Sequence, residues 1–151
     1  MGGMGWEAEV DDGPRLPTPD AVFRIGILFA PALVALSGCS DDCVNSAISR
    51  ADAPDGQHSA VMFQRDCGAS TSFSTQISVL AQGEQPNEGG NIFIADDDHG
   101  VAATGEWGGP WADVRWLAHD HLLIRYANKS RLFKQERQGS DVKIGYQQVA
   151  R

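Results

Sequence analysis

The chain has 151 residues, 42% of them hydrophobic and 21% charged, which suits one domain with a core. Its net charge of −8 opposes the basic footprint that phosphate neutralisation demands, so the composition argues against nucleic acid as a partner. The charge is unevenly spread: Cys39 to Asp113 carries 12 acids against Arg50 and Arg65, and Val114 to Arg151 carries 8 bases against Asp120, Glu136 and Asp141. We read this as two halves of one soluble domain attracting each other. The competing reading turns the basic stretch toward an anionic lipid or polymer.

Residues 1–20 hold Glu7, Glu9, Asp11, Asp12 and Asp20, whereas the n-region of a secretory signal is basic. This predicts a translation start further along, for example at Val22. Arg24 then precedes the apolar run Ile25 to Leu36. Twelve residues are short of the roughly 20 that cross a bilayer, and Pro31 interrupts a helix. A cation, a short apolar run and small residues together predict a signal peptide over residues 1–38. Leu36-Ser37-Gly38-Cys39 resembles the lipobox of bacterial lipoproteins. The resemblance implies lipid transfer to the Cys39 thiol, cleavage before it and palmitate on the new amino terminus. The alternatives are an uncleaved anchor and an ordinary signal peptide. More than one acyl chain gives stable anchoring. Ser40, by analogy with enterobacterial sorting, favours the outer membrane over the inner one.

Three cysteines make an odd count for an exported chain. Lipidation would remove Cys39 and leave Cys43 and Cys67 to form a disulfide in an oxidising compartment. The weaker alternatives are a lone thiol at Cys67, for which no base is in view, and zinc held by Cys and His without a CxxC pair.

Residues 39–45 read as a lipidated tether and residues 46–151 as the folded domain. Ala53-Pro54-Asp55-Gly56 is a tight-turn signature, and it divides Val44–Ala51 from the alternating His58–Arg65 as a hairpin. After a loop of small residues, Phe73 to Leu80 reads as a strand with Phe73, Thr75, Ile77 and Val79 on one face. Residues 82–90 read as a loop and Asn91 to Ala95 as a short strand. Residues 96–110 are irregular. Trp111–Leu117 and His121–Ala127 form a hairpin across Ala118-His119-Asp120. Leu132–Arg137 is ambiguous between strand and short helix. Residues 138–141 read as a turn, and Val142, Ile144 and Tyr146 alternate as a strand. The expectation is an all-β fold: a small antiparallel sandwich or bent meander of about seven or eight strands.

The lipobox, Pro54-Asp55-Gly56, Arg65-Asp66-Cys67-Gly68-Ala69-Ser70-Thr71, Asn91-Ile92-Phe93-Ile94 and Val114-Arg115-Trp116-Leu117 together resemble a group of small bacterial lipoproteins. These carry a Pro-Asp-Gly turn, a Cys-Gly-Ala-Thr-Thr segment and a late Val-x-Trp. The group has no assigned activity, so the resemblance implies architecture and location and carries over no catalytic residue.

Four clusters are candidate sites. Asp96, Asp98 and His99 offer ligands for Ca²⁺, without the alternation or final Glu of an EF-hand; the competing reading is a solvated acidic loop. His119 and His121 could hold Zn²⁺ with a third ligand such as His99, yet they sit where a hairpin turn belongs. Gly68, Ser70 and Thr71 offer amides and hydroxyls for an anion nest. Trp107, Trp111 and Trp116 could line a glycan or peptide groove, with Trp116 in the core and Trp107 the more exposed. His58 and Asp66 lack the Gly-x-Ser-x-Gly elbow of a hydrolase. The leading expectation is a membrane-anchored, periplasm-facing binding or envelope-assembly module without enzymatic activity. It would contact a protein or glycan through residues 66–72 and 96–110. The alternative is a metal-dependent or hydrolytic envelope enzyme using Asp96–His99 and His119–His121.

Overall fold

The tightest local code is at Ala53–Gln57. Pro54 presets φ, the Gly56 N–H donates to Ala53 O at 2.9 Å, and Gly56 takes φ +69° where a side chain would strain. The Gln57 N–H donates to Asp55 Oδ1 at 3.0 Å. This turn joins β1 (Val44–Asp52) to β2 (His58–Asp66), as expected, in an antiparallel hairpin. The structure, a computed structural model, describes Gly2, residues 43–68 and residues 73–151. The signal peptide, Cys39, Ser70 and Thr71 lie outside the described residues.

The chain continues through β3 (Ser74–Ala81), β4 (Phe93–Asp96), β5 (Ala112–Ala118), β6 (His121–Ala127), β7 (Arg131–Gln135), β8 (Gln138–Gly139) and β9 (Val142–Val149). The described residues thus form nine strands and no helix, and Leu132–Gln135 is strand rather than helix. One sheet runs β1-β2-β3-β4-β7 and the other β5-β6-β9-β8. β1 begins at Val44, so it takes Val44 and Asn45 out of the segment read as tether.

The second sheet departs from the antiparallel expectation: β9 lies parallel to β6. The connectivity explains it. After β6 the chain crosses to the other sheet, where β7 pairs antiparallel with β4. It returns through Glu136 and Arg137 into β8, then reverses at Ser140 and Asp141, whose φ values of 48° and 63° are those of a type I′ turn. One strand in the opposite sheet inverts the direction in which the chain re-enters.

The sheets share one core. Ala60, Met62, Ile77, Val79, Phe93 and Ala95 face Ala112, Leu122, Ile124, Tyr126, Val142 and Ile144. Phe93 and Tyr126 meet at 5.4 Å between ring centroids, and Phe93 and Tyr146 at 6.1 Å. The opposite side of β2 and β3 is buried as well, at Ser59, Val61, Phe63, Gln76 and Ser78. Residues 82–91 lie across it. Asn45 Nδ2 donates to Pro86 O and Glu88 O, Arg50 to Glu84 O, the Gly90 N–H to Gln76 Oε1 and the Asn91 N–H to Ser78 Oγ. The Asn91 amide pairs with both backbone groups of Val79, at 2.9 and 2.8 Å, and so extends the β4 ladder with a side chain.

One aromatic group ties the sheets along each seam. Trp116 Nε1 donates to Ala51 O at 2.8 Å. On the far side the Tyr146 hydroxyl shares its proton between Ile92 O at 3.0 Å and Glu136 O at 2.6 Å.

Candidate functional site

Strand direction sorts the loops into two ends. The antiparallel order from β1 to β7 gathers Cys43, residues 66–68, Phe73, residues 97–110 and Lys129 at one end. The 53–57 turn and the His119-Asp120 turn stand at the other. The first end is the candidate functional site, because it brings residues 66–68, the described part of one segment expected to make contacts, together with the other, 96–110.

Its covalent anchor is the Cys43–Cys67 disulfide, which extends the β1–β2 ladder one step beyond Val44 and Asp66. Asp66 Oδ1 accepts the Gly68 N–H at 2.8 Å, and Gly68 takes φ +96°.

Asp96 closes β4 and is buried, with 5% of its surface exposed. The register places Arg131 directly opposite, and the guanidinium donates through Nε to Oδ1 at 3.1 Å and through a second nitrogen to Oδ2. The Asp98 N–H also donates to Oδ1, at 3.0 Å. Burial alone would raise the Asp96 pKa. The hydrogen bonds from Arg131 and Asp98, with the charges of Arg131 and His99, outweigh it and hold the carboxyl below its usual range. This carboxylate therefore pins β7 to β4. Beyond it Asp98, His99 and Gly100 turn left-handed, at φ 49°, 58° and 87°.

The expected metal sets do not assemble. His119 occupies the β5–β6 turn with Asp120, and His121 begins β6, so both stand at the end opposite His99, with roughly 20 Å of strand between. The turn reading of His119-Asp120-His121 thus holds. Among the described residues no three side chains of His, Cys, Asp and Glu group so as to hold a metal ion. His58 and Asp66 likewise lie at opposite ends of β2.

The tryptophans need one correction. Trp107 is not the exposed member: it packs against the core, and its Nε1 donates to Thr75 Oγ1 at 2.8 Å. Thr75 is fully buried and passes its own proton to Pro110 O at 2.6 Å. Gly105 makes room for the ring, since a Cβ there would fall 2.3 Å from it. Trp116 packs on the core as expected. Trp111 is half-buried on the second sheet, with the Arg151 guanidinium 3.9 Å from its ring.

Sequence reasoning missed the exposed apolar groups of this end. Phe73 precedes β3 and is 62% exposed, whereas Thr75, Ile77 and Val79, grouped with it by alternation, are buried. Val44 is 63% and Val101 56% exposed. A Phe directly after a run of small hydroxyl residues was the available signal for a loop position.

A polar hollow of about 230 Å³ opens on the Tyr146 seam, lined by Gln135, Arg137, Ile144, Gly145 and Tyr146. Gln135 and Gln148 both donate to the Tyr126 hydroxyl, at 3.3 and 3.2 Å. Burial, with the Glu136 charge and the neighbouring Tyr126, pushes the Tyr146 pKa above the usual phenol range.

Compared with known proteins, the chain matches no family model, no curated protein and no solved structure.

Proposed function

We propose that this chain is a lipid-anchored protein of the bacterial cell envelope, facing the periplasm and serving as a binding or assembly module. The supporting observation is the disulfide. Cys43–Cys67 accounts for two of the three cysteines, so the remaining one, Cys39, closes the apolar run Ile25–Leu36 at the lipobox-like Leu36-Ser37-Gly38-Cys39. A structural disulfide also fits an exported, oxidising environment. The proposal includes membership of the small lipoproteins that the motifs resemble and, from Ser40, residence in the outer membrane.

The contact surface in this reading is the disulfide end, and its partner a protein or glycan of the envelope. The commitment of Asp96 to Arg131, and of Asp66 to the Gly68 N–H, favours a binding role over acid–base chemistry there, because both carboxylates hold backbone or strand geometry. The test is labelled palmitate with intact-mass analysis. The expected result is label on a chain beginning at Cys39, abolished by Cys39→Ala. An unlabelled chain in which Cys39 is bare would overturn the proposal.

A further inference from the structure

The end of the domain that carries the disulfide is also its most apolar exposed rim. Val44, Phe73 and Val101 all stand there, each more than half exposed, while Phe133, 61% exposed, lies mid-way along β7 with the Arg131 guanidinium 5.1 Å from its ring. The remaining large exposed hydrophobic group among the described residues is Leu117, 58% exposed at the opposite end beside the β5–β6 turn.

Chain length decides what meets this rim. Only three residues lie between Cys39 and Cys43, a reach of about 14 Å between the two Cα atoms at full extension. The disulfide fixes Cys43 to Cys67 at the end of β2, so β1 cannot peel away to lengthen that tether. The polar layer on each side of the hydrocarbon core is roughly 5–8 Å thick. A lipid on Cys39 therefore holds this end against the membrane surface.

We infer that Val44, Phe73 and Val101 insert into the lipid surface to which Cys39 is attached, so that the domain sits on the bilayer by this end. The inference rests on the proposed lipidation of Cys39 and adds the orientation of the domain and the lipid as a partner of its side chains. Charge does not drive the contact. The same rim carries Asp66, Asp97, Asp98 and Glu106 against Arg65, Lys129 and Arg131, so it has no excess of positive charge, and the recognition is apolar and needs no anionic lipid. Docked this way, the His119–Asp120 turn, Leu117 and the hollow at Arg137 face away from the membrane.

The test places the photo-crosslinker p-benzoyl-phenylalanine at Phe73, Val101 or Leu117 in the full-length precursor, each variant processed in cells and reconstituted in phosphatidylcholine vesicles. Adducts to lipid are expected at positions 73 and 101, about tenfold above position 117, as for side chains lodged at the headgroup–acyl boundary. The yield at 73 and 101 should not change with salt. Palmitate labelling of the same samples separates the two claims. Label on Cys39 with equal lipid yields at the three positions overturns the insertion and leaves the anchor standing. Label with protein adducts in place of lipid adducts at 73 and 101, in native membranes, also overturns it and makes the rim a protein contact. Absence of label overturns the anchor and the insertion with it.

Discussion

Removing the Cys43–Cys67 bond, by Cys43→Ala with Cys67→Ala, is the perturbation whose size follows most directly from the structure. The bond closes a loop with a sequence separation of 24. Loop-closure entropy for that length is worth about 3.5 kcal/mol at 25 °C. A domain of this size loses about 0.2 kcal/mol per degree near its melting point, so Tm should drop by roughly 15 °C. The loss should not be uniform. β1 is an edge strand, paired only with β2, and the bond clamps its first residues. Amides of Asn45 to Ala47 should therefore exchange faster in the variant than those of β3. Urea unfolding, followed through the fluorescence of Trp107, Trp111 and Trp116 in a common Cys39→Ser background, measures the stability change. A loss below about 1 kcal/mol with an unchanged m-value would refute the reasoning. In that case the strap bonds from Asn45 and Arg50 would be what holds β1.

Four further outcomes are expected. Tyr146→Phe removes the donor to Ile92 O and Glu136 O and should cost about 1 kcal/mol at pH 7. Because folding raises the pKa of this phenol, the wild type should lose stability as pH climbs above the ordinary tyrosine range; urea midpoints at pH 8 and pH 11 should converge for the two proteins. Asp96→Asn should destabilise at neutral pH. Folding lowers this carboxyl's pKa, so its contribution fades as pH falls through and below the usual carboxylate range, and the gap to wild type should close there. Gly90→Ala would set a Cβ 2.4 Å from Phe93 O and about 3 Å from the Ile77 backbone. The expected cost by thermal melting is about 3 kcal/mol, against about 1 kcal/mol for Gly83→Ala, where only the positive φ resists. Trp107→Phe should lose about 1 kcal/mol with its bond to Thr75, and Trp107→Ala about 3 kcal/mol; no loss in either would return Trp107 to the surface.

What the sequence revealed depended on the range of each interaction. The 53–57 turn, the His119–Asp120 turn and the Val142–Tyr146 alternation are written in adjacent residues, and all appear as read. Cysteine parity carried the bridge over a longer span because only one pairing remained once Cys39 was set aside. Three features were not legible. Ala60-Val61-Met62-Phe63 is buried on both faces, since residues 82–91 cover the outer one, so its period-2 signal is blurred. The parallel β6–β9 pairing requires knowing that β7 joins the other sheet, which an ambiguous Leu132–Arg137 could not say. The acidic run at Asp96 offers a solvated loop or a metal site, and neither reading foresees Arg131, 35 residues later, opposite Asp96 in the ladder.

The two ends of the sandwich are built differently, and the difference bears on where contacts arise. At the end away from the disulfide, reversals are tight: 53–57, His119-Asp120 and Ser140-Asp141 each turn within a few residues, and the long 82–91 segment folds back across the outer face. At the disulfide end two longer connections run from Cys67 to Phe73 and from Asp97 to Trp111, beside the short 128–130 turn. Long connections on a rigid frame are where binding groups are usually displayed. Here the frame is fixed just behind them: Arg131 holds Asp96, Thr75 receives Trp107, and the disulfide clamps β1. Those ties commit Asp96, Thr75 and Trp107 to structure, and they leave Val44, Phe73 and Val101 exposed beside the charged Glu106 and Lys129. On the proposed lipidation of Cys39, five positions before Val44, such a rim has an apolar partner within reach.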